Sequence, residues 1–259
     1  MPLTDWGWQI TPEELSAWLV EDTGHWLVVD KPPFVVCHPS KHGPWSSLIG
    51  ACREYCGLER LHMPFRLDRE TSGVVVLAKD AETGSRMQRA VERRHVHKTY
   101  LAILTGELRE VADVDAPLGP HPGSKVVMRR AVVAEGQPAR TRFTPLAAGG
   151  GYTLARVETA TGRLHQVRVH AAHLGHALAG DKIYGPDESL FLEFVEKGFS
   201  ERLAACLPLR RHALHCAEVV FDPSPWWSEG LRFCAPLAAD LAEFCRDVMR
   251  IDFTTGATL

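Results

Sequence analysis

The sequence predicts an α+β fold in which a mixed, mainly antiparallel central sheet is flanked by helices. Segments of β-type and helical character are interspersed along the 259 residues, without the regular strand–helix–strand units of a parallel sheet. Between residues 107 and 158 the β segments are short and are separated by glycine and proline breaks. With 45% hydrophobic residues, the chain can bury a full core as one large domain or two closely packed lobes.

The first half of the chain begins with a helix signal. Thr11, Pro12 and Glu14 have the form of a capping box with proline in the first helical position, which predicts a short helix to about Val20. Two prolines then separate a pair of β-type segments, because proline cannot donate to a continuous ladder. The predicted elements that follow the helix are β segments at 26–29 and 34–37, a central strand at 74–79, a basic helix at 81–94 and a strand at 98–105.

The second half alternates in the same way. Apolar and polar residues alternate over 152–157, which predicts a strand, and Thr161-Gly162 turns the chain into a helix that runs from about Leu164 to Leu174. The last predicted elements are a helical stretch near 188–205, a strand at 214–221 and a terminal helix at about 238–250.

Composition excludes several classes of protein. The longest apolar runs are far shorter than the roughly 20 residues that cross a bilayer, and the N-terminal segment has neither a secretory signal nor an Arg-rich transit peptide. We therefore expect a cytoplasmic protein without a membrane partner. The seven cysteines include no Cys-x-x-Cys pair, which favours reduced thiols over a disulfide framework or a zinc ribbon.

Charge is distributed unevenly. The net charge is -3, yet residues 60–100 hold 9 Lys/Arg against 5 Asp/Glu, and residues 121–170 hold 8 against 2. A local basic surface is what binding to a phosphate backbone requires. The alternative is that these residues form solvated helix faces that are basic without a function.

Two segments, 65–80 and 161–185, carry candidate chemistry. In the first, Asp68 lies between Arg66 and Arg69 on a predicted loop, and a neighbouring cation favours an ionised carboxylate that can act as nucleophile or base. The alternative for an arbitrary protein is a surface salt-bridge cluster.

The second segment places several donors where a helix begins. Arg163, His165, Gln166 and Arg168 lie near the positive end of the helix dipole, where phosphate or carboxylate groups bind. A solvated helix start is the alternative.

The histidines suggest a metal-dependent hydrolase as a rival. His170, His173 and His176 are spaced three apart, so on a helix they spread over about 120° and do not stack as ligands four apart do. The tetrad His-Glu-x-x-His is absent, and we expect no metal site.

The two segments resemble the signature motifs of the RluA family of pseudouridine synthases, which read approximately HRLDRDTSGLLLLAK and GRTHQIRVHLASIGHPLVGDPLYG. The resemblance covers roughly residues 25–245, with Phe65 in place of the usual His and Leu164 in place of the usual Thr. It implies a pseudouridine synthase-like fold, with residues 1–24 as an N-terminal extension carrying a short helix and residues 25–259 as the catalytic domain. Further segments similar to the family lie, in family order, at 28–40, 98–108, 135–143 and 211–221.

The resemblance implies that the protein isomerises specific uridines in structured RNA, rRNA or tRNA, without a cofactor or metal. Asp68 would be the essential carboxylate, whether it attacks the sugar or the ring or removes a ribose proton. Arg168 would pair with it, and Tyr100 would stack on the target base. A non-catalytic RNA-binding protein on the same fold is the second rival.

A uridine in folded RNA must be turned out before its glycosidic bond can be reached. The resemblance assigns to Arg66 the role of filling the gap. Basic residues of the predicted helix at 81–94 are expected to contact phosphates, and the protein is expected to be monomeric. The expected RNA-binding residues are Arg66, Arg86, Arg89, Arg93, Arg163, His165 and Gln166, with Arg94 as a further phosphate contact.

Overall fold

The computed structural model describes residues 8–38, 42–225 and 227–252, and the chain divides into two compact units. Unit 1 comprises Met1–Lys98 and Cys216–Pro236, and unit 2 comprises Thr99–His215 and Leu237–Leu259. Strands that pair mainly antiparallel, with helices beside them, confirm the predicted α+β class. The proposed domain boundary near residue 24 stays a prediction.

The bounds of the described elements follow chain order. The helices are α1 (Pro12–Trp18), α2 (Leu48–Cys56), α3 (Ala81–Glu92), α4 (Gln166–His173), α5 (Ser189–Lys197), α6 (Glu201–Cys206) and α7 (Ala239–Phe244). The strands are β1 (Leu19–Asp22), β2 (Trp26–Lys31), β3 (Ser72–Ala78), β4 (Val96–Thr105), β5 (Ala112–Asp115), β6 (Leu118–Pro120), β7 (Arg130–Val132), β8 (Arg140–Gly149), β9 (Tyr152–Thr159), β10 (Leu214–Phe221) and β11 (Leu231–Cys234).

The sheet of unit 1 is built around β3. Strands β1, β2, β3 and β10 lie side by side in that order, with β11 on β10, and every residue of β3 is buried. Gly73 has φ +109°, and a Cβ there would lie 2.1 Å from the carbonyl oxygen of Cys216. Glycine is therefore required where the chain leaves the Asp68 loop and enters the central strand.

The start of α1 confirms the predicted capping box. The Thr11 hydroxyl accepts the Glu14 N–H at 3.2 Å, and the Glu14 carboxylate accepts the Thr11 N–H at 2.9 Å. The helix ends at Trp18, two residues before the predicted Val20, because Leu19 already begins β1.

The β segment predicted at 34–37 is wrong. This stretch is a turn, in which Phe34 adopts φ +72° and donates its N–H to the carbonyl of Arg69 at 2.8 Å. The two preceding prolines remove donors that a strand would need, so the backbone of this segment bonds to the loop that carries Asp68.

In unit 2, the strands run in the order β4, β9, β8 and β5, and β6 and β7 form a separate hairpin. Helix α4 contacts β7 and β8. The predicted terminal helix appears as α7 followed by a π-helical turn at Cys245–Met249. Across the described ranges, no helix is both long enough and apolar enough to span a bilayer.

Candidate functional site

Asp68 lies on the loop between α2 and β3, as predicted. Leu67 is 6% exposed and anchors the loop, Arg66 points to solvent and Asp68 is half-buried. The Asp68 carbonyl accepts the Thr71 N–H at 3.1 Å, which closes a tight turn ahead of the strand. The carboxylate therefore stands on backbone that is fixed from both sides.

Lys31, at the end of β2, binds the backbone of the Asp68 loop. Its ammonium is fully buried and donates to the carbonyls of Pro32 at 2.8 Å, Val35 at 3.0 Å and Arg69 at 3.1 Å. A buried cation is costly unless its donors are satisfied, and here three carbonyls replace water. The motif Lys-Pro-Pro after a buried strand is the sequence signal for this clamp, although no role was predicted for Lys31.

Two further hydrogen bonds join the turn at Phe34 to the Asp68 loop at Arg69. The Phe34 N–H donates to the Arg69 carbonyl at 2.8 Å, and the Arg69 Nε donates to the Phe34 carbonyl at 3.2 Å. Arg69 therefore acts on the loop's backbone, whereas Arg66 stays on the surface.

Phe65, the family departure, contacts a lysine. The Lys98 Nζ lies 4.8 Å from the centroid of the Phe65 ring, within the range of a cation–π interaction. Burial lowers the pKa of the Lys98 ammonium from its ordinary value. Phe65 thus supplies an apolar platform for a cation three residues before Asp68.

In unit 2, the turn before α4 is shaped by Gln166. Its amide oxygen accepts from the Thr161 hydroxyl at 2.6 Å and the Arg163 N–H at 3.1 Å, and its amide nitrogen donates to the Arg140 carbonyl at 2.9 Å. Gln166 is 4% exposed. Its amide organises the turn from inside, and α4 begins at Gln166, not at Leu164 as predicted.

The side chains near this turn face different ways. His165 has φ +58° and is buried, with its Nδ1 2.9 Å from the Tyr184 hydroxyl. Arg163 is exposed and donates its Nε to the Pro138 carbonyl at 3.2 Å. Because His165 and Gln166 face inward, we keep Arg163 alone of these three as a direct RNA contact in the proposal below.

Arg168 forms a buried two-point ion pair with Asp181. Nε donates to Oδ2 at 2.7 Å and Nη2 to Oδ1 at 2.9 Å, and Asp181 is fully buried. Burial alone would raise the pKa of Asp181, but the Arg168 guanidinium beside it holds that pKa well below its ordinary value. The Asp181 carboxylate also accepts the N–H groups of Ile183 and Tyr184. Asp181 lies within segment 161–185, but it was not among the predicted site residues.

The remaining predicted residues lie on β4 and α3. Tyr100 is 8% exposed and pairs with Val157 across β4 and β9. Arg86 is ion-paired with Glu82 on the same helix, and Arg89 is exposed. Arg93 is the C-cap of α3, and Arg94 follows it in a left-handed conformation, so both lie past the end of the helix predicted to reach residue 94.

The structure therefore places Arg66 and Asp68 on one loop of unit 1, and Arg163 and Arg168 around the start of α4 in unit 2. The pairing of Arg168 with Asp68 and the stacking role of Tyr100 stay predictions.

The histidines considered as metal ligands have separate partners. His170 is buried between the Thr141 hydroxyl and the Ala116 carbonyl, and burial lowers its pKa. His176 lies 2.9 Å from the Thr105 carbonyl. Among the described residues, no group of three or more His, Cys, Asp or Glu side chains is arranged to hold a metal ion. All seven cysteines are free thiols.

Comparison with known proteins shows which family the chain belongs to. The model of the RNA pseudouridylate synthase family matches residues 25–173. Ribosomal large subunit pseudouridine synthase D of Nitrosomonas europaea is 34% identical over 241 residues, which are 90% of this chain and 65% of that protein. An uncharacterized RNA pseudouridine synthase of Chloroflexus aurantiacus is 36% identical over 220 residues, 82% of this chain and 63% of that protein. The chain thus spans just under two thirds of the length of these relatives.

A solved structure agrees in fold. Human RNA Pseudouridylate Synthase Domain Containing 4 superimposes with a TM-score of 0.69 over 90% of this chain and 94% of that chain, at 23% identity. At that identity, the likeness concerns the fold alone. Taken with the family model and the relatives, the order of the two motif segments and the loop that carries Asp68 identify this chain as a member of the RluA-type RNA pseudouridylate synthase family.

Proposed function

We propose that this chain is an RNA pseudouridine synthase that isomerises uridine in ribosomal RNA. The observation that carries the proposal is Asp68, which is half-buried on a loop whose backbone is held by the buried Lys31. A carboxylate that must meet one atom of a bound nucleotide has to be positioned in advance. Ribosomal RNA is favoured over transfer RNA because the Nitrosomonas europaea relative is named for the large ribosomal subunit.

The reaction breaks the bond between ribose C1′ and uracil N1, rotates the base and joins C1′ to C5. The proton on C5 leaves, N1 gains one, and no electron is transferred to another molecule. Asp68 supplies the carboxylate for the cleavage step, by attack on the sugar or the ring or by removal of a ribose proton. The chemistry therefore needs one well-placed carboxylate and a uracil ring that is held in the correct orientation.

We assign the positioning of Asp68 and of the RNA to other side chains of the chain. Arg66 is exposed two residues before Asp68, and its planar guanidinium is suited to stack where the flipped base had been. We assign the orientation of Asp68 to Arg168 and base stacking to Tyr100. Arg86, Arg89, Arg93 and Arg163 supply phosphate contacts.

The proposal is tested by tritium release from RNA labelled at uracil C5. Wild type should release tritium from an unmodified transcript of bacterial large-subunit ribosomal RNA, and Asp68→Asn should bind that transcript without turnover. Residual turnover of Asp68→Asn above about one part in a thousand of wild type would contradict the role of Asp68. If the wild type binds the transcript but releases no tritium, the chain is a non-catalytic RNA-binding protein. If tritium is released only from labelled transfer RNA, the substrate is transfer RNA and not ribosomal RNA.

A further inference from the structure

The hairpin formed by β6 and β7 ends in a loop that the proposed function leaves unused. The two strands pair in the register Leu118 with Val132 and Pro120 with Arg130. The His121 N–H donates to the Arg129 carbonyl at 3.1 Å, and the Arg129 N–H donates to the Val126 carbonyl at 2.9 Å. The second bond closes a four-residue turn with Val127 and Met128 at its centre.

This loop is anchored on both sides. Val126 is 3% exposed and packs in the core cluster that contains Tyr184. The Ser124 hydroxyl donates to the Glu188 carboxylate at 2.6 Å, and the same carboxylate binds Arg129. The Arg130 N–H donates to the Tyr184 hydroxyl at 2.8 Å. These contacts anchor the residues on both sides of the Val127–Met128 turn.

Two apolar side chains point to solvent from this anchored tip. Val127 is 93% exposed and Met128 is 45% exposed, and no other large apolar side chain of the described residues is as exposed as Val127. Single exposed apolar residues are ordinary on protein surfaces. Here, however, Val126 is buried and Arg129 is paired with Glu188. The two residues between them, Val127 and Met128, are therefore adjacent exposed apolar groups at the end of a hairpin.

The charged residues of the hairpin itself are all basic. No acidic residue lies between Ala116 and Ala134, while Lys125, Arg129 and Arg130 flank the apolar pair. Glu188 neutralises Arg129, which leaves the tip with the charge of two cations. Apolar groups that insert beside bases, together with cations that meet phosphates, are the combination by which proteins hold locally unstacked nucleic acid.

The tip is linked to the motif segment of unit 2. The Tyr184 hydroxyl that accepts from Arg130 lies 2.9 Å from His165 Nδ1. The Tyr184 ring lies 5.0 Å from the Arg168 guanidinium. Tyr184 therefore contacts the hairpin through its hydroxyl and Arg168 through its ring.

We propose that the β6–β7 tip is an RNA-contacting wedge, in which Val127 and Met128 pack against a base while Lys125 and Arg130 meet the flanking phosphates. The inference rests on the proposed function, and it adds a contact outside both motif segments. Tyr184 contacts both the hairpin and Arg168, the residue to which the proposed function assigns the orientation of Asp68.

The test compares Val127→Ser/Met128→Ser with a matched surface change, Val195→Ser, on α5, where the valine is 52% exposed and is followed by Glu196. The probe is the unmodified large-subunit transcript, with a short fluorescein-labelled oligouridine as a second probe. Loss of the wedge should weaken transcript binding by about fivefold to tenfold, while Val195→Ser should bind like wild type. Lys125→Gln should lower the slope of log affinity against log salt by about one.

Unchanged affinity of the folded double variant, with wild-type thermal unfolding, would overturn the wedge. If the double change converts a dimer to a monomer in analytical ultracentrifugation and leaves RNA affinity unaltered, the tip is a surface between copies of this chain, and the inference fails. Tritium release separates the two proposals. If the wild type releases tritium but Val127→Ser/Met128→Ser binds the transcript with wild-type affinity, only the wedge is rejected. If the wild type neither binds nor modifies RNA, the proposed function is rejected as well.

Discussion

Arg168 and Asp181 are locked together in unit 2 by two hydrogen bonds of 2.7 and 2.9 Å, with both side chains buried. The pair occupies one edge of the guanidinium and fixes its plane, because Asp181 is itself held by the backbone N–H groups of Ile183 and Tyr184. An arginine that must orient another group has to be oriented first. Asp181 is therefore the residue through which unit 2 sets the position of Arg168.

Asp181→Asn should destabilise the protein by about 3 to 5 kcal/mol, because it leaves the Arg168 charge buried without its partner. The depressed pKa of Asp181 means that its stabilisation is fully present above the unfolded pKa of about 4 and is lost as pH falls below it. Urea unfolding of wild type and Asp181→Asn at several pH values measures both effects. Asp187→Asn, at an exposed carboxylate six residues further along the chain, is the control. Equal stability of Asp181→Asn and wild type at neutral pH would show that the pair contributes nothing.

Asp30 predicts an opposite dependence on pH. Burial raises its pKa to about 6, against the attraction of Lys31. The folded state then binds a proton that the unfolded state releases, so stability falls as pH rises from about 4 through 6. Allowing for partial exposure, Asp30→Asn should gain about 1 to 2 kcal/mol over wild type at pH 7 to 8 and nothing near pH 4.

Thermal unfolding across this pH range checks the Asp30 prediction. Glu59→Gln, which removes an exposed carboxylate from the same unit, is the matched control. A gain for Asp30→Asn that is the same at pH 4 and pH 8 would mean that ionisation of Asp30 is not its source.

Local patterns in the sequence predicted much of this architecture. The capping box gives the start of α1, and the all-apolar run after the Asp68 loop gives β3, because both depend on residues close in the chain. β10 also has the predicted bounds, Leu214–Phe221. The 34–37 segment failed because its backbone bonds to Arg69, a partner 35 residues away that no local pattern reveals.

The candidate site shows the same division. Asp68 and its loop were found from a motif, but the partners that hold the site were not. Lys31 reaches a carbonyl 38 residues away, and Asp181 lies 13 residues from Arg168. A buried ion pair or carbonyl cluster depends on the packing of segments that are distant in the chain. The sequence therefore indicated candidate residues, and the structure showed which residues hold them in place.

Helix α3 predicts a graded effect on RNA binding. Arg93→Ala should reduce the salt slope by about one, as loss of a phosphate contact does. Arg86→Ala should reduce the slope by less than one, because Glu82 neutralises part of the Arg86 charge. Glu82→Gln should accordingly strengthen binding. Fluorescence anisotropy at several salt concentrations measures these slopes, with Arg246→Ala as a control at an exposed ion pair. Identical slopes for all variants would place α3 away from the RNA.

The last prediction concerns Lys31, whose ammonium binds the carbonyls of Pro32, Val35 and Arg69. Lys31→Met keeps much of the side-chain length but leaves three carbonyls without this donor, so stability should fall by about 1 to 3 kcal/mol. The Asp68 loop should also lose its fixed position. Because misplacement of a reacting group affects the chemical step more than substrate binding, kcat should fall at least tenfold with little change in KM.

A purely structural lysine would give a different result, and Val28→Ala separates the two cases. Val28 is fully buried on the same strand, β2, so its truncation should cost about 2 kcal/mol without touching the loop carbonyls. If both variants are folded at the assay temperature, Val28→Ala should retain the wild-type kcat and Lys31→Met should not. A wild-type kcat in folded Lys31→Met would show that the Asp68 loop keeps its geometry without the clamp. An equal loss in both variants would trace the effect to stability, since Val28 reaches the loop only through the shared strand.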